Sequence, residues 1–251
     1  MKENSLNKRS LVILIIILVA IPAALLISWK MGDRKYYLFS VIVMILSMLP
    51  LFIRFENRKP SAKELVTLAV MTAIAVAARA AFIFVPHFRP MIGIIMITGI
   101  SLGAEAGFLT GAIGAFVSNF IVGQGPFTPW QMFAYGLAGF IMGKLAEKGA
   151  FDTEKRFPVA LTGGLLVLCL IGPILDTCTI FIESAQISGT AFGAVYAAGL
   201  PVNAVHGLAT FITLFLLCRP IKEKLDRLRS KYGIMEADES GRKEKGDKDE
   251  I

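Results

Sequence analysis

The chain has 251 residues, 55% of them hydrophobic and 18% charged, with a formal net charge of +7. Apolar runs of about 20 residues recur along it, long enough for the ~30 Å hydrocarbon layer of a bilayer, and they lack the polar alternation of a water-facing helix. A soluble globular domain is thereby set aside, as is a nucleic-acid module, because the Lys and Arg surplus flanks the apolar runs, where it orients helices and touches anionic lipid.

The first segment, "MKENSLNKRSLVILIIILVAIPAALLISWK", begins basic like a secretory signal, but its apolar run exceeds the 7 to 15 residues expected of one and no cleavage site stands out. It is expected to be a retained helix over 11 to 29, followed by a second over 37 to 54. Residues 1–55 thus form two transmembrane anchor helices. The polar stretch "RFENRKPSAKE", interrupted by Pro60, supplies a basic linker over 56–63. Beyond it the pattern predicts spans at 64 to 85, 91 to 103, 105 to 122, 127 to 146, 157 to 183 and 199 to 218. A single helix from 91 to 122 would be about 48 Å long, too long even when tilted, so a break is placed at Gly103 to Glu105. Residues 64–218 form a six-helix domain. Residues 219–251 comprise a basic juxtamembrane segment and a charged tail, too poor in large apolar groups to offset the entropy of ordering.

With the N-terminus inside, the inner connections carry Lys2, Lys8, Arg9, Arg54, Arg58, Lys59, Lys63, Lys144, Lys148, Lys155, Arg156 and the cluster Arg219 to Lys231, against Lys30, Arg34, Lys35 and Arg89 outside. Both termini are therefore expected in the cytoplasm. Cys169, Cys178 and Cys218 all lie in apolar runs. The first two are about 14 Å apart by helical rise, too far to bridge, and no Cys/His spacing suggests a metal.

An ionisable residue deep in a span costs roughly 2.5 to 3.5 kcal/mol on insertion scales and calls for a reason. Arg79, Asp176 and His206 each fall about 10 Å from the expected outer end of their helix, so three helices place one such group at a common level. Arg79 and Asp176 are a candidate ion pair, which as a mere helix staple would also account for them. Asn203 lies near the same depth, Asn119 closes its helix on the same side, and His87, Arg89, Gln124, Thr128 and Gln131 converge from the outer loops, with Trp130 and Tyr135 as flat faces. The connection "GQGPFTPWQM" is rigid and rich in hydrogen-bonding groups. Irregular backbone near membrane depth is tolerated where protein or a watery cavity satisfies it, so this stretch is expected to wall or lid an outward-facing ligand site. A plain helix start, with Thr128 as N-cap and Pro129 at N1, is compatible with that role.

In "LAVMTAIAVAARAA" Ala69, Ala73, Ala77 and Ala81 recur every four residues, a smooth helix face of the kind that lets another helix approach closely in lipid. Gly99, Gly103, Gly107 and Gly111, with Gly139 and Gly143, repeat the theme. The glycine sets are assigned to internal packing and the alanine stripe to a separate partner.

The stripe after a basic linker, six spans, and "FRPMIGIIMITGISLGAEAGFLTGAIGAFVSNFIVGQGPFTPWQMFAYGLAGFIMGKL" together resemble the substrate-binding S components of energy-coupling factor (ECF) vitamin transporters. The resemblance covers about residues 60 to 218. It implies an all-α integral membrane protein, an S-component-like six-helix bundle preceded by two extra transmembrane helices, in a bacterial cell membrane. It also implies capture of a vitamin at the outer face and delivery by toppling in the bilayer, docked on a transmembrane coupling subunit and two ATPases. Ala69, Ala73 and Ala77 would meet the coupling subunit. "GQGPFTPWQ" is similar to members assigned to cobalamin or its precursors dimethylbenzimidazole and α-ribazole. No catalytic set, metal site or cofactor is expected, and "GFIMGKL" lacks the spacing and hydroxyl of a phosphate loop. A stand-alone ion-coupled secondary transporter, using Asp176, and a membrane enzyme acting on a lipid or isoprenoid, using Asp176 and His206, stay open as alternatives.

Overall fold

A computed structural model describes residues 36–57, 60–183 and 189–232. The expected helix over 11 to 29 and the charged tail lie outside these residues. The described chain is helical throughout: α1 Tyr36–Asn57, α2 Ala62–Ala81, α3 Met91–Leu102, α4 Ala104–Val122, α5 Thr128–Glu147, α6 Arg156–Leu166, a π-helical turn Val167–Ile171, α7 Gly172–Glu183 and α8 Gly189–Tyr232. By length and apolarity α2, α4, the α6–α7 rod and α8 qualify to cross a bilayer, and α3 is apolar but shorter.

Local sequence explains where these helices begin and stop. Ser61 caps α2 by accepting the backbone N–H of Glu64 at 3.2 Å, the S-x-x-E arrangement of a capping box. The helix ends at Ala81, four residues earlier than expected, and a series of turns carries the chain to Pro90. α3 has 12 residues, about 18 Å of rise, and nearly all of them are buried, which is why it is apolar on every side. It is the central rod of the bundle.

Gly103, at φ 93°, ends α3 where the break was expected and folds the chain back sharply. A Cβ on Gly107 would meet the Gly99 Cα at 2.6 Å, one on Gly139 the Gly107 carbonyl carbon at 2.6 Å, and one on Gly143 the Ala104 Cα at 2.6 Å. The glycine sets therefore mark one backbone-to-backbone crossing of α3, α4 and α5. Internal packing accounts for them, as the spacing of small residues implies.

The rod from Arg156 to Glu183 carries Pro173 near its middle. Pro173 has no N–H to give the ladder and its ring crowds the preceding turn, and the π-helical turn immediately before it absorbs that misfit. α8 runs for 44 residues, far beyond the expected 199 to 218. Its C-terminal extension is held by Lys222 to Glu154 at 2.7 Å, with Arg219 to Glu223 at 2.9 Å and Lys222 to Asp226 at 3.3 Å along the helix.

α1 is more than an anchor. Phe55 is part of the main core, Phe52 meets Phe108 edge-on with centroids 6.1 Å apart, and Arg54 pairs with Glu105 at 2.6 Å. It packs on α4 and α5 rather than standing apart from the six-helix unit.

Candidate functional site

The α4–α5 hairpin brings the costly polar residues together. Its antiparallel register, fixed by the glycine crossing, sets the last turn of α4 beside the first turn of α5, while α2 runs alongside α4. Arg79, 5% exposed, donates from Nη1 to Ser118 Oγ at 2.5 Å and to Asn119 Oδ1 at 2.8 Å. Asn119, fully buried, donates in turn from Nδ2 to Thr128 Oγ1 and to Gln131 Oε1, each at 3.0 Å. Thr128 donates to Gln124 Oε1 at 2.9 Å and accepts the Gly125 N–H at 3.3 Å, and Gln124 Nε2 reaches back to the Phe116 carbonyl at 3.0 Å.

One continuous network thus ties α2 to the loop from Gly123 to Phe127. Its function in the fold is rigidity, since buried polar groups hold a single arrangement only when their partners are satisfied. Thr128 is the first residue of α5 and Phe127 is its N-cap, so the threonine hydroxyl braces the loop instead of capping the helix. Gln124, although exposed, is likewise a brace. The loop's other face, with Gly125 and Pro129, lines a groove of about 530 Å³ against Ile45 and Met48 of α1.

A second group lies beside this network. Arg89, on the loop before α3, donates from Nη1 to the hydroxyl of the fully buried Tyr135 at 3.0 Å, and Tyr135 also lies in the field of Arg79. His206 of α8 is 4% exposed, its Nε2 has no hydrogen-bond partner among the described residues, and it lies near Arg89, His87 and Arg79. The ring of His87 stands 6.0 Å from that of His206. Trp130 is buried and stacks on Phe181 at 5.8 Å, so it faces the bundle rather than anchoring at the interface.

Asp176 takes a different partner from the one expected. Asn203 Nδ2 donates to its Oδ2 at 2.7 Å, and Thr177 and Tyr196 share a hydrogen bond at 2.7 Å one residue further on. Arg79 and Asp176 form no ion pair: equal depth on two helices fixes level but not direction, and the guanidinium turns to α4 while the carboxylate turns to α8. Gly172 and Gly199 allow this α7–α8 contact, since a Cβ at either would press into the Asn203 or Asp176 side chain. Ser118, Phe181 and Tyr196 are participants that sequence reasoning missed. Ser118 had a signal, a hydroxyl next to Asn119 in an otherwise apolar helix, whereas Phe181 and Tyr196 had none.

A family model described as "ECF-type riboflavin transporter, S component" matches residues 59–223, which spans α2 through most of α8 and all the polar residues just described. The chain belongs to this family. No curated protein matches it, and no solved structure does. As an S component it is the substrate-binding subunit of an ECF transporter in a bacterial cell membrane, a transport subunit rather than an enzyme, which works with ECF transmembrane and ATPase subunits. The matched region begins after α1, so α1 is an addition to the family's unit.

In this S component Ala69, Ala73 and Ala77 are exposed. They line an apolar groove of about 780 Å³ between α2, α4 and α1, closed on one side by Phe52 and Phe55. Leu65, Val66, Val70 and Ile74 extend the same exposed apolar surface of α2. Among the described residues no cluster of His, Cys, Asp or Glu is arranged to hold a metal.

Proposed function

We propose that this S component captures a flat, vitamin-like molecule at the outer face, beneath the loop from Gly123 to Phe127, and passes it inward when docked on its partner subunits. The observation that carries the reading is the hydrogen-bonded chain from Arg79 through Asn119 to Thr128, Gln131 and Gln124, which couples the outer ends of three helices to one loop. Tyr135, Arg89, His87 and His206 provide the adjoining recognition surface, with Trp130 and Phe181 as an aromatic wall. Asp176 and Asn203 complete the rim on the α7–α8 side. Lys and Arg placement supports cytoplasmic termini and hence an outward-facing site.

The family description favours riboflavin as the cargo, while "GQGPFTPWQ" resembles members assigned to cobalamin, dimethylbenzimidazole and α-ribazole. Riboflavin and α-ribazole share a dimethyl-substituted aromatic ring system bearing a hydroxylated five-carbon unit, open ribityl in one and ribofuranosyl in the other, and that common shape is the class we assign. The alanine stripe of α2 is the proposed contact with the transmembrane coupling subunit, and ATP hydrolysis by two partner subunits supplies the energy.

Mass spectrometry of small molecules that copurify with the full chain tests the assignment, with riboflavin, α-ribazole, dimethylbenzimidazole and cobalamin as standards. Recovery of one of the first two at near-equal stoichiometry is expected. Recovery of a lipid or isoprenoid product instead, or uptake by the chain alone driven by an ion gradient, would overturn it.

A further inference from the structure

Among the described residues, the cluster around Arg79 and Arg89 holds positive charge that no carboxylate answers. Arg79 and Arg89 are both directed to neutral acceptors, namely Ser118, Asn119 and Tyr135. Among the described residues neither has a carboxylate partner, and the hydrogen bonds that each makes to them leave from its Nη1. Asp176 on α7 is engaged by Asn203, and the ion pairs of Glu105 and Glu154 belong to the opposite end of the bundle. His206 is buried with Nε2 unpartnered, although a buried polar nitrogen ordinarily has a partner. His87 faces it from the loop at 6.0 Å, held at φ 59°, a left-handed backbone that costs energy for a side chain with a Cβ and recurs at ligand-clamping positions.

Two guanidinium groups, Arg79 buried and Arg89 half-buried, stand at the same end of the bundle and repel one another, and burial of unneutralised charge is strongly penalised. The group that removes the penalty is an oxyanion. Guanidinium N–H pairs match its oxygens in a fork, and His206 and His87 add ring N–H donors. We propose that this S component takes a phosphate-bearing ligand, the phosphate seated among Arg79, Arg89, His87 and His206 with the aromatic ring toward Trp130 and Tyr135. The inference rests on the outer cluster being the ligand site, and it narrows the cargo from a neutral vitamin to its phosphorylated form. A lipid headgroup offers the same phosphate chemistry, although Arg79 and His206 lie inside the bundle rather than on its lipid-facing surface.

The test is direct binding to the purified full chain in dodecyl maltoside, using riboflavin, riboflavin 5′-phosphate, α-ribazole and α-ribazole 5′-phosphate. In at least one pair the phosphate ester is expected to bind about tenfold or more tightly than its neutral parent. Arg89→Gln should erase that preference, and Arg89→Lys, which keeps the charge but loses the fork, should retain part of it. Thermal unfolding of both variants establishes that they are folded. Neutral parents binding as tightly as their esters, or no binding of either ester, overturns the proposal. Added phosphatidylglycerol displaces the ester if a headgroup is the natural occupant and leaves it bound if a solute is, and the anion site stands in both cases. Charge-independent binding with normal ATP-driven vitamin uptake sinks the phosphate inference alone, whereas loss of all vitamin uptake with partner subunits present sinks the functional reading beneath it.

Discussion

Arg79 Nη1 donates to Asn119 Oδ1 at 2.8 Å across the α2–α4 interface, so the charge of one helix is held by the amide that also secures the loop from Gly123 to Phe127. Asn119→Ala removes three hydrogen bonds at once and leaves Arg79 with Ser118 alone. At roughly 0.6 kcal/mol per hydrogen bond in a membrane interior, with a further penalty for the bereaved guanidinium, a loss of at least about 2 kcal/mol is expected. Thermal unfolding in detergent measures it. Ligand affinity should fall with it, because Thr128 and Gln131 lose the partner that positions them; a stability loss with affinity unchanged would make the network a scaffold only.

How much of this arrangement the sequence disclosed depends on what kind of fact was asked of it. The break at Gly103 was legible because an unbroken helix would overrun the bilayer, and so was the assignment of Gly99, Gly107, Gly139 and Gly143 to internal packing, although which helices cross there came only from the structure. The extent of α8 was not legible. Residues 189 to 199 are rich in glycine and alanine, and Thr177 of α7 supports that early stretch through Tyr196. Its C-terminal end continues past Cys218 on i,i+4 ion pairs that hydropathy does not register. The partner of Asp176 was hidden for a geometric reason, since helical rise gives depth while the facing direction follows from packing.

Asp176→Asn should preserve the clasp to Asn203, since an amide oxygen accepts where the carboxylate did. A change in stability under about 1 kcal/mol is expected, with vitamin uptake by the assembled transporter retained. Asp176→Leu, which strands the Asn203 amide, should cost about 1 to 3 kcal/mol. Loss of uptake in the asparagine variant at normal stability would place the carboxylate against the cargo or a coupling ion.

Ala73→Trp puts a large ring on the exposed stripe of α2, within the groove that Ala69 and Ala77 also line. Close helix approach depends on small residues there. Copurification with the ECF transmembrane subunit should be lost while binding of ligand to the isolated chain persists. Intact copurification would move the contact to another face.

Gly139→Val and Gly123→Ala separate two uses of glycine. A Cβ at residue 139 would meet the Gly107 carbonyl carbon at 2.6 Å, and the obstructing atom is backbone on a helix already in contact, so a destabilisation above about 3 kcal/mol and poor membrane accumulation are expected. At Gly123 nothing lies within 4 Å, but φ is 122°, and the strain of an L-residue there should cost about 1 to 3 kcal/mol with the chain still folded. Paired melting curves distinguish the two, and equal effects would contradict the crossing.

Deletion of residues 1–57 asks whether α1 serves the fold or the site. The family match starts at residue 59, and the polar network runs through α2, α4 and α5 without any residue of α1. Against this, Phe55 belongs to the main core, Phe52 covers Phe108, and Arg54 pairs with Glu105. Loss of the buried Phe55 and the partly buried Phe52 points to a cost of a few kcal/mol, on the order of 3 kcal/mol for a fully truncated core phenylalanine in water and less where burial is partial or lipid replaces the ring. The expected result is a lower melting temperature with ligand affinity within about threefold of the full chain, that is, under ~0.7 kcal/mol. Because Phe52 and Phe55 also close one side of the alanine groove, deletion should widen access to Ala69, Ala73 and Ala77. Tighter association with the transmembrane subunit would then accompany the lower stability, and weaker association would instead assign α1 a share of the docking surface.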